Sequence, residues 1–334
     1  MMEPILLEVK DLKTYIRTSA GLVKAVDGVS LHIKRQEIVG LVGESGCGKS
    51  MTALSIMRLL PEPYAQIAGG EVQFEGKDLV TISELEMRSI RGNRISMIFQ
   101  DPLTALNPIM KIGDQIVESL TSHNAVAKEA ATSRVVELLG LVGIPEGNMM
   151  ARQYPFEISG GMRQRVMISM ALACNPSLLI ADEPTTNLDV SIQAQILDLI
   201  SSIREKIGTS VLIITHNLGI VALLCERVYV MYAGKIVEEA PSDELFAKPA
   251  HPYTSLLLRS IPQVDASGKK LETIAGDVPN LIRVPNGCRF HPRCPFVKDI
   301  CKEVEPEMVE AGSSHQVRCL MFDPHHKNKW GSSN

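Results

Sequence analysis

Residues 43 to 50 read Gly43-Glu44-Ser45-Gly46-Cys47-Gly48-Lys49-Ser50. Gly, four residues, then Gly-Lys-Ser is the pattern of a phosphate-binding loop. Without a Cβ at Gly43, Gly46 and Gly48 the backbone can curl and aim successive N–H groups at phosphate oxygens. Lys49 would set its charge on the β- and γ-phosphates, and the Ser50 hydroxyl would ligate Mg²⁺. A second group of candidates lies downstream. Asp182 and Glu183 are adjacent carboxylates after the apolar run Leu178-Leu179-Ile180-Ala181. Asp182 would reach Mg²⁺, and Glu183 would face an attacking water. Ser159-Gly160-Gly161, bare backbone beside a hydroxyl, opens a helix-compatible run and suits an anion. Gln100 and His216 each stand where a strand runs out, Asp189 stands just before a helix, and His216 is a γ-phosphate contact candidate. Tyr15 is either ordinary packing or a platform for an adenine ring.

The elements that must position these residues are legible in outline. Glu37 to Val42 reads as a strand entering the loop, and Ser50 to Leu60 as a helix leaving it, with its dipole toward the phosphates. Residues 5–9, 22–26 and 29–33 read as short strands, an antiparallel β-subdomain ahead of the loop. Val72 to Leu79 reads as a hairpin turning at Glu75-Gly76, and Arg94 to Gln100 as a buried strand stopped by Asp101-Pro102. From Ile112 to Cys174 the pattern becomes helical; between Lys128 and Val142, Ala131, Val135, Leu138, Leu139 and Val142 follow helical spacing. A helix is expected over 191–207, a buried strand over 211–215, and a closing hairpin over 227–238 with its turn at Ala233-Gly234.

Bulk properties restrict the function classes. The 334 residues suggest two units. A hydrophobic content of 45% against 22% charged residues is that of a globular protein, and the net charge of −4 leaves no electrostatic footprint for nucleic acid. No apolar run approaches the ~18–20 residues that span a bilayer. Met1-Met2-Glu3-Pro4 carries neither a basic nor an apolar leader segment, so a cytosolic location with reduced cysteines is expected.

In this order the motifs resemble those of the ATP-binding subunit of an ABC transporter, over roughly residues 5 to 245. They are the phosphate loop, the glutamine loop at Gln100, the Ser159-Gly160-Gly161 signature, Asp182-Glu183, the Asp189 loop and His216. Gln100-Asp101-Pro102-Leu103-Thr104-Ala105-Leu106-Asn107-Pro108, Gly160-Gly161-Met162-Arg163-Gln164-Arg165 and His251-Pro252-Tyr253-Thr254 are similar to the dipeptide, oligopeptide and nickel importer branch. The sequence departs from the pattern at Met51, where Thr is common; at Asn187, where Ala is usual; and at Ile16, where the branch often has an aromatic.

The resemblance implies an α/β fold. It is a P-loop NTPase (RecA-like) core sheet with an antiparallel β-subdomain, a helical insertion over about 101–175 and a small cysteine-containing extension. Residues 1–246 would be the ATPase domain and 247–334 the extension. It implies ATP and Mg²⁺ as ligands, held by Tyr15, by Gly43 to Met51, by Gln100, by Ser159 to Gly161 and by Asp182, Asp189 and His216. Ser50, Gln100 and Asp182 would lie around Mg²⁺; Glu183, His216, Lys49 and Gln100 would carry catalysis. Two ATP molecules would be sandwiched head to tail against a second ATPase subunit, a related chain or a second copy. The helical insertion would dock on two integral-membrane permease subunits at the cytoplasmic face of the membrane, served indirectly by an extracytoplasmic solute-binding protein. The cargo would be di- or oligopeptides, with nickel or another small solute as the alternative. An ABC-type ATPase acting on nucleic acid is the rival from another class. It would call for a coiled-coil insertion, two cassettes or a basic surface, and the sequence has none of these.

Beyond residue 246 the chain is rich in proline and weak in periodicity, yet it holds four of the seven cysteines: Cys288, Cys294, Cys301 and Cys319. Their spacing of five, six and seventeen residues lacks the tight pairs of structural zinc sites. Looser thiolates can hold a [4Fe–4S] cluster, and Cys294-Pro295 echoes some cluster motifs. The tail also resembles the branch's C-terminal extension, with which such a cluster has been associated. An iron–sulfur cluster is therefore expected, with zinc second and His291, His325 and His326 as surface residues.

Overall fold

A computed structural model describes residues 4–123, 127, 130–186, 189–260 and 274–330. Lys128, Asn187, Leu188 and Pro262 lie outside the described residues. In chain order the first elements are β1 (Ile5–Thr18), β2 (Gly21–Lys34), β3 (Ile38–Val42), α1 (Lys49–Ile56), β4 (Ala65–Phe74), β5 (Lys77–Asp78), α2 (Glu84–Ile90) and β6 (Ile95–Ile98). A helical stretch follows: α3 (Pro102–Ala105), α4 (Ile112–Ser122), α5 (Ala131–Leu141), α6 (Gly147–Met150) and α7 (Gly160–Ala171). Then come β7 (Leu178–Asp182), α8 (Val190–Ile207), β8 (Ser210–Thr215), α9 (Leu218–Leu224), β9 (Arg227–Tyr232), β10 (Lys235–Pro241), α10 (Ser242–Ala247) and α11 (Pro252–Arg259). The last are α12 (Ile300–Glu303), β11 (Val309–Gly312) and β12 (His315–Val317). The chain forms two compact units, one of Met1–Leu6, Ile33–Ile38 and Thr81–Ile214, the other of Leu7–His32, Val39–Val80 and Thr215–Asn334.

In the first unit β6, β7 and β8 run parallel, with Ile95 opposite Leu178 and Leu178 opposite Ser210. Every residue of these strands is buried, which explains their continuous apolar runs. Helix α7 packs against β6, α4 and α5, and the α5 stripe Ala131, Val135, Leu138 and Leu139 is its buried face. Ser159 caps α7 and Asp189 caps α8, each through its side-chain oxygen. Helix α8 ends in Gly208 at φ 75°, a left-handed stop.

In the second unit β2, β1, β4 and β5 form one antiparallel sheet. The three short strands expected near the start are in fact two long ones, β1 and β2, joined by a tight turn. The turn-compatible residues inside them are absorbed by bulges, one of them between Lys10 and Lys13. Residues of β3 pair in parallel with β9, Val39 opposite Arg227, and β9 turns at Ala233-Gly234 into antiparallel β10. Both turn residues have positive φ, 45° and 85°, as at Glu75-Gly76 with 48° and 80°, the requirement of a two-residue hairpin whose twist matches its strands.

The tail adds to this sheet: β12 pairs with β10, Glu238 opposite Val317, and β11 pairs with β12. This corrects the expectation of a metal-stapled extension. Among the described residues no group of three or more His, Cys, Asp or Glu side chains is arranged to hold a metal ion. Cys288, Cys294, Cys301 and Cys319 are free thiols, and neither the [4Fe–4S] cluster nor zinc is supported. Burial pushes the Cys288 thiol up to about 11 and that of Cys319 up to about 12, and raises Cys294. Packing and hydrogen bonds do the stapling instead. Phe290 sits among Tyr232, Tyr253 and His251 with ring centroids 5.2–5.6 Å away. Buried Glu238 accepts from His315 at 2.7 Å and from the amides of Ala250 and His251 at 2.6 and 2.9 Å.

Candidate functional site

The phosphate loop lies in the second unit, between the fully buried β3 and α1. Its glycines do different work. A Cβ on Gly43 would stand 2.1 Å from the Met231 carbonyl oxygen, and one on Gly48 2.2 Å from that of Ala25. These two are glycine so that the loop can lie directly on β9 and β2 backbone. Gly46, at φ 77°, has nothing within 4 Å of an added Cβ and faces open space, where a phosphate can approach bare backbone. The turn after β9 supports the loop from beneath, the Gly234 amide donating to the Cys47 carbonyl at 2.8 Å. Lys49 is buried, and its Nζ donates to the carbonyls of Gly43 and Glu44 at 2.8 and 3.0 Å and lies 3.8 Å from Cys47 Sγ. Burial raises the Cys47 thiol despite the Lys49 charge, so Cys47 is a neutral packing residue. Glu44 is held by Arg293, through two bonds of 2.7 and 3.0 Å, and its amide donates to Tyr253 Oη at 2.8 Å. Ser45 is exposed and Ser50 half-buried. The Ser50 hydroxyl in this unit, like the Asp182 carboxylate in the other, is a hard oxygen donor of the kind Mg²⁺ takes. Met51, whose carbonyl accepts from Ser55 Oγ, lies in the first turn of α1.

Tyr15 stands on β1 in the same unit. Its hydroxyl donates to Asp27 at 2.7 Å, Lys24 Nζ lies 5.9 Å from its ring centroid, and burial first, then Asp27, pushes its pKa up to about 12. Burial raises the Asp27 carboxyl, but the bonds from Tyr15 and Arg289 outweigh it and hold Asp27 below the ordinary carboxylate range. His216 is exposed just past the end of β8. The following turn is fixed by the Asn217 amide on Thr215 Oγ1 at 2.9 Å and by Asn217 capping α9.

The first unit collects the other candidates at the ends of its strands. Asp182 ends β7 and is buried. Glu183 follows with a left-handed backbone, φ 47°, its amide donating to the Ile214 carbonyl at 2.8 Å. A bulky residue in that region stores strain and persists only where its surroundings fix it. The fixing groups are visible: Glu183 Oε2 accepts from Gln100 Nε2 at 3.2 Å and from Thr186 Oγ1 at 2.8 Å. Gln164, buried in α7, donates to the Pro184 carbonyl at 2.7 Å. Gln164 was not singled out by sequence, although it lies in the quoted Gly160 to Arg165 motif. Ser159 and Gly160 are exposed at the start of α7, and a Cβ on Gly161 would meet Ile192 of α8 at 3.1 Å. Asp189 accepts from Ser191 Oγ at 2.6 Å and from the Ile192 amide at 2.9 Å, and these bonds hold its carboxyl below the usual range. Gln100 and Glu183 are thus brought together; Ser159 caps α7, which opens with Gly160 and Gly161, and Asp189 caps α8. A cavity of about 440 Å³ in this unit is lined by Phe99, Asn107, Met110, Gln115, Met167 and Met170 among others.

Comparison with known proteins agrees with these features. The family profile described as ABC transporter matches residues 26–186, and that described as oligopeptide/dipeptide transporter, C-terminal region, matches residues 237–301. The chain is 50% identical to the oligopeptide transport ATP-binding protein AppD of Bacillus subtilis, over 95% of this chain and 97% of that protein. It is 52% identical to OppD of the same organism, over 96% and 89%. It is also 50% identical to a probable peptide ABC transporter ATP-binding protein, y4tR, of Sinorhizobium fredii, over 94% of both. Among solved structures it resembles the dimeric ATP-binding cassette MJ0796 bound to ADP and Pi. That match has a TM-score of 0.63 and 27% identity over 71% of this chain and 98% of that one. Loop, strand-end carboxylates and full-length likeness agree: the chain belongs to the ATP-binding proteins of peptide ABC transporters.

Proposed function

We propose that the chain hydrolyses ATP to energise import of di- and oligopeptides through a membrane ABC transporter. The observation that carries this reading is its likeness, at about half identity and nearly full length, to proteins named for oligopeptide and peptide transport. Those names favour peptides over nickel as cargo.

The roles proposed for the site residues are those that the resemblance implies. The loop amides and Lys49 bind the phosphates; Lys49 now rests on two loop carbonyls and exchanges them for phosphate oxygens. Ser50, Gln100 and Asp182 would hold Mg²⁺, which would supply charge neutralisation at the phosphates when bound. Glu183, oriented by Gln100 and Thr186, takes the proton of the attacking water. His216 contacts the γ-phosphate, and Tyr15 the adenine. Ser159 and Gly160, exposed at the start of the twelve-residue α7, and the half-buried Gly161 receive the nucleotide of an opposing ATPase subunit, a related chain or a second copy, near Asp189.

Residues 1–246 are read as the ATPase domain, with a helical subdomain over about 101–175, and residues 247–334 as an extension. The helical subdomain docks on the two permease subunits at the cytoplasmic face. Leu103 and Ile109, 60% and 83% exposed, support that assignment. No helix among the described residues is long and apolar enough to cross a membrane, so membrane attachment rests on those partners. The test is ATP-dependent uptake of labelled oligopeptide by vesicles holding the chain with its permease and binding protein. Uptake that needs both ATP and this chain is expected; ATP-driven uptake of nickel but not peptide would overturn the cargo.

A further inference from the structure

We infer that Arg293, carried by the C-terminal extension, is a positioning residue for the phosphate loop and acts on it through Glu44. The inference rests on the ATP-site reading above and goes beyond it, because it gives the extension a part in nucleotide binding.

Arg293 is almost wholly buried, with its side chain 4% exposed against 26% for Glu44. Its two terminal nitrogens meet the two carboxylate oxygens of Glu44 in parallel, Nη1 to Oε2 at 2.7 Å and Nη2 to Oε1 at 3.0 Å. That fork-on-fork geometry is available to arginine and not to lysine. The guanidinium is itself held, donating from Nε to the Ala275 carbonyl at 3.0 Å and from Nη2 to that of Ile274 at 3.3 Å. It also lies 5.8 Å from the ring centroid of Tyr232. A surface ion pair would be mobile and weak; this one is pinned.

What it pins is the second residue of the loop. Glu44 is fixed at three points: its carboxylate by Arg293, its amide by Tyr253 Oη at 2.8 Å, and its carbonyl by Lys49 Nζ at 3.0 Å. The first two partners lie 249 and 209 residues away in sequence, both beyond residue 246. The peptide that bears the Glu44 carbonyl therefore takes its direction from the extension, and that carbonyl is half of the resting place of Lys49. The same pair neutralises a carboxylate that would otherwise stand bare one residue from Gly43, beside incoming phosphates. Both effects act on nucleotide affinity and neither touches the reacting water.

The test is ATP binding and steady-state hydrolysis by the full chain carrying Arg293→Ala, Arg293→Lys, Glu44→Ala, the Arg293→Ala/Glu44→Ala pair, or Lys49→Ala. Arg293→Ala leaves the Glu44 charge unopposed, and the dissociation constant and KM for ATP should rise roughly 3- to 30-fold with kcat changed less than about 2-fold. Once the carboxylate is gone, removing Arg293 as well should change affinity by less than about 2-fold beyond Glu44→Ala alone, the coupling a double-mutant cycle detects. Arg293→Lys keeps the charge without the fork and should fall between, so the proposal is tested even if Arg293→Ala does not fold. Unchanged affinity in Arg293→Ala or Arg293→Lys would overturn it, as would losses that simply add in the pair. Lys49→Ala separates the two readings. If it binds ATP normally, the ATP-site assignment fails; if it loses ATP while the Arg293 variants do not, only this inference falls.

Discussion

Replacing Gly48 by alanine probes the packing of the phosphate loop. Gly48 sits at φ 112°, a conformation L-residues rarely adopt, and an alanine Cβ would lie 2.2 Å from the Ala25 carbonyl oxygen and 2.5 Å from Met231 Cε. The methionine methyl can swing aside; the Ala25 carbonyl belongs to β2 and cannot. The backbone conformation costs about 1–3 kcal/mol, and displacing the loop to relieve the overlap costs roughly 1–3 kcal/mol more. The sum, about 2–6 kcal/mol, is a large part of the ~5–15 kcal/mol that holds a typical domain. Gly46→Ala is the internal control: the φ is again positive, 77°, but nothing lies within 4 Å of the new Cβ, so only about 1–2 kcal/mol is expected. Urea denaturation followed by circular dichroism, with and without ATP, measures both. Gly48→Ala should lose the more stability, and lose ATP protection too because α1 starts at Lys49. Equal losses in the two variants would refute the claim that Gly48 is glycine because β2 backbone lies against it.

Two further outcomes are expected. His251 is fully buried, and burial holds its imidazole down at about 4, against an ordinary 6.5 and despite the nearby Glu238 charge. From pH 6.5 down to about 4 the unfolded chain takes a proton the folded one refuses, so stability falls with pH across that window, by about 3 kcal/mol in full. His251→Asn keeps an acceptor for the Tyr253 amide and should flatten that slope in denaturation midpoints; an unchanged slope would sink the assignment. Gln164→Leu removes the donor to the buried Pro184 carbonyl, which should cost about 1–3 kcal/mol. It should also lower kcat for ATP more than it raises KM, because the affected turn carries Glu183; an unaltered kcat would contradict that role.

The fold was legible where one physical rule acts locally. The Gly-x4-Gly-Lys-Ser spacing gave the loop, the continuous apolar runs gave β7 and β8, and the 131–142 stripe gave the buried face of α5. Glu75-Gly76 and Ala233-Gly234 announced their hairpins because few residues tolerate positive φ. What stayed hidden depends on contacts distant in sequence. No local pattern links Glu44 to Arg293 or Tyr253, and none shows that β11 and β12 would extend the sheet at β10. The cysteine tail misled for the same reason: four thiols close in sequence suggested a metal, while aromatic packing around Phe290 and the buried Glu238–His315 pair carry the fold there. Nor does any local pattern show the bond from Tyr15 to Asp27, which anchors the hydroxyl.

Phosphate release from Mg²⁺-ATP by the purified chain, compared with its Glu183→Gln variant, tests the central claim most directly. The amide keeps the shape of the side chain and can still meet Gln100 and Thr186, but it cannot accept the water's proton. ATP should still bind, turnover should fall by about 10²- to 10⁴-fold, and a nucleotide-bound dimer should accumulate on size-exclusion chromatography. Turnover near that of the unaltered chain would contradict the account, because the strained, hydrogen-bonded Glu183 would then have no part in hydrolysis.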